Sequence, residues 1–281
     1  MSAPRKPAPD IEFIEHHAED EAVESVAPLS PKLIFESIRR DGEEELERPN
    51  LALWYSGIAA GILISFSVLG EALLRTFLPD ADWRYVAENM GYTFGFLLVI
   101  LGRMQLFTEN TITTVAPVLV RRSWPCLRRT GELWTLVLAA NVVGAFAVAT
   151  FFAYAPVLSP DVAAAFAELS RHATGFSPGE GFARGIPAGV LIAALVWMLP
   201  MANGHSVGII FLFTWLIALG DFTHIVAGSV EMAYLIVLGE LGAVQAIFGF
   251  FLPVLAGNVI GGTVIFTLLV WAQIQPEVTK G

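Results

Sequence analysis

The chain has 281 residues, of which 55% are hydrophobic and only 15% charged, with a net charge of -10. Apolar residues gathered in long blocks exclude a water-soluble globular domain, and no nucleic-acid partner is expected. The acidity is local, because residues 1 to 50 hold 13 acids against 6 Lys or Arg.

Residues 1 to 29 are rich in Pro, Ala and acids, with too few large apolar side chains to offset the entropy of ordering, so they read as a disordered acidic cytoplasmic tail. The tail lacks the charged-then-apolar start of a signal peptide, which leaves targeting to the first apolar block. His16-His17 beside Glu15 reads as a solvated charge run, and no metal site is expected there or elsewhere. Residues 30 to 50 read as a cytoplasmic amphipathic helix, with Ser30 as N-cap and Pro31 in the first helical position. Its Leu33, Ile34 and Ile38 are expected to face the membrane surface or a partner.

Residues 51 to 275 read as a membrane pore domain. Apolar segments cover roughly 53–75, 91–120, 132–156, 182–201, 207–239 and 244–272, each meeting the requirement of about 20 residues per crossing. The predicted class is an all-α integral membrane protein with six transmembrane spans. Arg121, Arg122, Arg128 and Arg129 gather after the second span, which places both termini in the cytoplasm. Cys126, the single cysteine, lies in the same stretch, so no internal disulfide exists and no reactive-thiol role is expected.

The second half of the chain repeats the first. Gly57-Ile58-Ala59-Ala60-Gly61 is answered by Gly185-Ile186-Pro187-Ala188-Gly189, Phe107-Thr108 by Phe222-Thr223, and Asn141-Val142-Val143-Gly144 by Asn258-Val259-Ile260-Gly261. Each unit holds three spans, so the second copy enters the bilayer from the opposite side. The fold is therefore two inverted three-helix repeats, and transport is the leading function.

Spans two and five are long and polar near their middles, at residues 106–111 and at 220–224 through 227–229. Both are predicted helix breaks. Irregular backbone at membrane depth is tolerated only where it is buried in protein or lines a wet cavity, so the two breaks should meet at a pathway near the midplane. Glu109, Asp221 and His224 sit at the breaks. Glu109, Thr108 and Asp221 are suited either to capping a half-helix or to lining the pore. His224 has no capping duty on this reading and can change charge near neutral pH. Asn141 and Asn258 read first as scaffold residues holding the break loops. Glu71, Glu231 and Glu240 read as lying near span ends, Arg103 and Arg184 as snorkelling, and Trp134, Trp197 and Trp271 as lipid-facing or interfacial.

Leu106-Phe107-Thr108, Phe222-Thr223-His224 and Gly257-Asn258-Val259-Ile260-Gly261-Gly262, in this order across six spans, resemble the formate/nitrite transporter family and its inner-membrane branch. The resemblance implies an aquaporin-like fold, a homopentamer with one pore per subunit, and passage of a small monovalent anion such as formate, nitrite or hydrosulfide, or its conjugate weak acid. It assigns His224 to the central pore histidine, Thr108 to its hydrogen-bond partner, and Leu106 and Phe107 to a hydrophobic constriction. Phe222, Thr223, Glu109, Asp221 and Asn258 complete the expected pore set. The chain departs from the family pattern at Thr223, Gly228, Gly189 and Glu109. Ile217 matches a bulky fifth-span constriction residue, and Arg171 and His172 are the candidates for a family lysine.

Competing readings are a pore for a neutral solute or cation, a non-conducting assembly protein and an intramembrane enzyme. The chain offers no catalytic nucleophile, metal-ligand set or cofactor motif, so neither catalysis nor a cofactor is expected.

Overall fold

Ser30 accepts the Leu33 N–H through its hydroxyl at 3.4 Å, and Pro31 opens helix α1 (Pro31–Glu47). This computed structural model describes residues 29–278; the acidic stretch 1–28, with His16-His17, lies outside the described residues. The apolar face of α1 turns to the chain's own membrane domain, not to a lipid surface or partner. Ile34, Phe35 and Ile38 are buried, Phe35 lies 5.1 Å from the Trp271 ring, and only Leu33 stays exposed. Gly42 makes this docking close, because a Cβ there would collide with the Thr113 carbonyl.

Four helices are long and apolar enough to cross a bilayer: α2 (Asn50–Phe77), then α6 (Trp124–Tyr154), α8 (Pro178–Met201) and α11 (Gln245–Pro276). Between α2 and α6 the second crossing is divided into α3 (Thr93–Leu101), α4 (Phe107–Thr113) and α5 (Val115–Arg121). The fifth is divided into α9 (Ser206–Leu219) and α10 (Ile225–Val237). Helix α7 (Pro160–Thr174), which follows α6 in the chain, packs against α10 and the second half of α2, with its start capped by Ser159. No strand occurs among the described residues. The arrangement is the expected six-crossing helical fold with broken second and fifth helices.

The repeated glycines mark two equivalent helix crossings. Gly61 of α2 lies on the Asn141 backbone of α6, and Gly144 on that of Ile58; Gly189 of α8 lies on the Asn258 backbone of α11, and Gly261 on that of Ile186. Small residues at such crossings let backbones approach where no water drives helices together.

The breaks correct the expected register. Asn141 accepts the Phe107 N–H (3.0 Å) and donates to Gln105 O and Gly57 O (both 2.8 Å). Asn258 accepts the Ile225 N–H (2.8 Å) and donates to Thr223 O and Gly185 O (both 2.9 Å). The equivalent of Phe107 is therefore Ile225, not Phe222, and Leu106 corresponds to His224. Arg103 and Asp221 correspond as well, each with a left-handed φ of 52°. The shared Phe-Thr dipeptide was a coincidence of composition three residues out of step. The irregular segments run over residues 102–106 and 220–224, and Thr108–Thr111 and Ala227–Ser229 are helical, because the two asparagines satisfy the first helical N–H groups.

Candidate functional site

His224 is the N-cap of α10, with Nδ1 accepting the Ala227 N–H at 3.3 Å. This overturns the expectation that it has no capping duty. It also decides the tautomer: with Nδ1 used as acceptor, the neutral ring carries its proton on Nε2, which faces Thr108 Oγ1 at 2.8 Å. Both side chains are buried, and the edge of the ring meets Phe96 at 5.0 Å between centroids. Thr108 lies inside α4 and does not cap it; Leu106 holds the N-cap place without a side-chain bond.

Two cavities lie near this pair, one lined by His224 itself and the other by Glu109 and Asn110, which follow Thr108 in α4. One, of about 60 Å³, has His224, Phe222, Thr223, Asp221, His172, Glu71 and Glu231 in its lining, together with Asn89, Tyr92, Ile217, Gly228 and Phe250 among others. Its volume holds a few water-sized molecules and excludes a drug-sized ligand. The other, of about 130 Å³, is lined by Glu109, Asp41, Glu45 and Arg103 beneath α1. Glu109 and Asp221, expected together at the midplane, are thus separated into different cavities. Asp221 sits at the mouth of its cavity, where Oδ1 meets His172 Nε2 at 3.0 Å and its carbonyl accepts from Arg184 at 3.3 Å.

Leu106 is fully buried and lines neither cavity. Phe107 is also buried, packed edge-on against Trp134 at 5.6 Å and bordering an apolar groove on the flank of the bundle. Trp134, expected to face lipid or lie at the interface, is a buttress: its Nε1 donates to Thr114 Oγ1 (2.9 Å) and Asn110 O (3.2 Å), holding α4 and α5. Trp197 and Trp271 likewise have protein partners, in Phe266 and Phe35. Asn258 is fully buried behind the fifth-span break and acts as a tether. Thr223 donates to Gly181 O at 2.8 Å, which leaves its carbonyl for Asn258.

The cavities also hold residues that were assigned to span ends or interfaces. Glu71 and Glu231 line the His224 cavity and Arg103 the other, whereas Arg184 covers the Phe176 ring at 4.2 Å. A signal for Glu231 was present: seven residues after His224, it falls two turns along the same helix face. Glu240, by contrast, lies outside the cavities, paired with Arg171 at 2.7 Å.

Two broken helices meeting at a buried imidazole, with two cavities carrying ionisable side chains nearby in an apolar bundle, define a membrane transport protein. The sequence model of the formate/nitrite transporter family matches residues 32–272, and the chain belongs to this family. It is similar to the inner membrane protein YfdC of Escherichia coli (strain K12), 43% identical over 253 residues covering 90% of this chain and 82% of that one. It is also similar to the transporter YrhG of Bacillus subtilis (strain 168), 27% identical over 85% of this chain and 91% of that one. Among solved structures, an ion channel of the same family superposes with a TM-score of 0.76 at 17% identity, covering 86% of this chain and 99% of that one. A pentameric formate channel with formate bound superposes with a TM-score of 0.67 at 19% identity, covering 80% and 98%.

Proposed function

We propose that the chain passes a small monovalent anion of the formate or nitrite kind, or its conjugate weak acid, through the point where Thr108 meets His224. The observation that carries this reading is the buried 2.8 Å bond between the two broken spans, with one cavity lined by His224 and the other by Glu109 and Asn110 next to Thr108. Apolar Leu106, Phe222 and Ile217 lie close to the crossing point, and a desolvated anion there is costly unless it is hydrogen-bonded or protonated. The His224 cavity and the Glu109 cavity serve as its two vestibules. Subunits assemble as a homopentamer in the inner membrane, each with its own pore, as the name of one structural relative suggests. A cytoplasmic side for both termini is supported by the basic cluster from Arg121 to Arg129, to which α1 is tied.

Reconstitution tests the reading. Vesicles containing the intact protein should take up formate, nitrite or hydrosulfide faster as the pH falls from 8 to 5, whereas glycerol and potassium should not enter. His224→Ala should keep the fold and change the rate by roughly tenfold, the size expected from one buried hydrogen bond. A second reading, a pore for a neutral solute or cation, draws on the carboxyl groups in both vestibules. Glycerol or potassium uptake without anion uptake would establish it instead.

A further inference from the structure

Two aromatic rings in the lining of the His224 cavity each lie on a glycine. Phe222 folds back over Gly220, where a Cβ would come within 2.7 Å of its ring, and Phe250 reaches across from α11 to Gly228. A Cβ at Gly228 would meet Phe250 Cζ at 2.4 Å, Cε1 at 3.1 Å and Cε2 at 3.6 Å. The tip of the Phe250 ring therefore occupies the place that any side chain at position 228 would take. Gly228 donates its N–H to the His224 carbonyl at 2.8 Å, one helical turn along α10, so it lies on the same face as the imidazole.

Phe250 is delivered to this point by the shape of α11. The first stretch of that helix, Gln245–Phe251, is a π-helix, a widened turn that is rare in general and frequent at functional sites. Within it Ala246 and Phe250 are buried, whereas Ile247 and Phe248 face outward. Phe250 is 3% exposed, and it is the one α11 residue in the cavity lining among the described residues. A phenyl ring is bulky and has no hydrogen-bonding group, so what Phe250 contributes to the cavity is shape. The cavity of about 60 Å³ has room for an ion the size of formate or nitrite. Each methylene added to such an ion needs space that the ring already fills, and a close-packed wall yields little.

We propose that Phe250, seated on Gly228 one turn from His224, is the size filter of the pore: it leaves room for a small anion without a carbon tail and turns away longer monocarboxylates. The inference rests on the small-anion reading above and adds to it a residue that selects by length. Glycine at position 228 is part of the same device, because the ring and a side chain there exclude one another.

The test is entry of formate, acetate and propionate into vesicles that contain the intact protein, with protein-free vesicles subtracted. The wild type should pass formate at least about tenfold faster than acetate, the least that one methylene in a closed pocket is worth, and propionate more slowly still. Phe250→Ala should bring acetate and propionate close to the rate of formate, while glycerol and potassium stay out. Phe250→Leu, a gentler change to the packing, should admit acetate ahead of propionate. Gly228→Ala should slow formate, because its methyl group collides with the ring, and the double variant Gly228→Ala/Phe250→Ala should recover it. That rescue would not follow from two residues that only pack. A Phe250→Ala or Phe250→Leu protein that melts like the wild type and still excludes acetate overturns the inference. So does a wild type that passes acetate and propionate as fast as formate, and both results leave the anion pore standing. Glycerol or potassium entering Phe250→Ala together with acetate overturns it as well, since the variant then leaks. No formate entry in the wild type overturns both readings.

Discussion

At the scale of single residues, the centre of the protein is one hydrogen bond between groups 116 positions apart. Its geometry comes from two side chains that line neither cavity, Asn141 and Asn258, each holding two backbone groups of a break and one glycine carbonyl of a neighbouring spanning helix. Buried amides without such partners would cost about 1 to 3 kcal/mol each, so the tethers make the irregular backbone tolerable at depth. His224 adds its own contribution by capping α10. Thr108→Val keeps the shape but removes the hydroxyl, leaving Nε2–H unpaired; transport should change by roughly tenfold while Thr108→Ser stays near wild type. Equal uptake by all three proteins would show that the bond is structural only.

Among elements, α1 has the most direct link between sequence and docking. Arg129 at the start of α6 donates to Leu46 O (2.9 Å), Arg48 O (2.9 Å) and Asn50 Oδ1 (2.6 Å), and Arg121 reaches Glu43 at 2.8 Å. Arg129→Ala should loosen α1 by about 1 to 3 kcal/mol, read as faster amide exchange over residues 31–47 with the bundle unchanged. Unchanged exchange would assign the docking to Ile34, Phe35 and Ile38 alone. The same helix has a defined pH response. The hydrogen bond from Arg39 holds the Glu36 carboxyl down at about 2, and for Glu43 the bonds from Arg121 and Arg39 outweigh burial and lower it as well. A depressed carboxyl stabilises the folded state above its ordinary value near 4.5, and that contribution is lost as the pH falls toward 2. Exchange from α1 attributable to these groups should therefore stay flat between pH 8 and 5 and rise only below about 4.

At the scale of the whole molecule, the two halves share one construction: a glycine-mediated crossing, an asparagine on the partner helix, and a break held beneath it. The crossings should respond alike. Gly61→Val and Gly189→Val each push a side chain into backbone, and each should cost about 1 to 3 kcal/mol or more in thermal unfolding. Gly131→Val on α6, where a Cβ meets nothing within 4 Å, should be close to neutral. Gly61→Val and Gly189→Val proteins that melt like the wild type would break the argument that these glycines set the approach of the repeats.

What the amino-acid order determined by itself was everything that depends on neighbours along the chain: six apolar blocks of bilayer length, two blocks interrupted by polar residues, the capped start of α1, and the glycine and asparagine marks of an inverted repeat. Chain-local signals decided these because helix length, hydropathy and capping are settled within a few turns. Only the tertiary structure decided the register of the repeat, since Asn141 and Asn258 choose their partners through space and not by residue identity. It also made Trp134 a buttress in place of a lipid-facing or interfacial residue, parted Glu109 from Asp221, and brought Glu71 of the first repeat to the cavity shared by His224 and Glu231 of the second. Whether a polar residue faces lipid, a partner or a cavity is set by how helices far apart in sequence cross, and that crossing exists only once the bundle has packed.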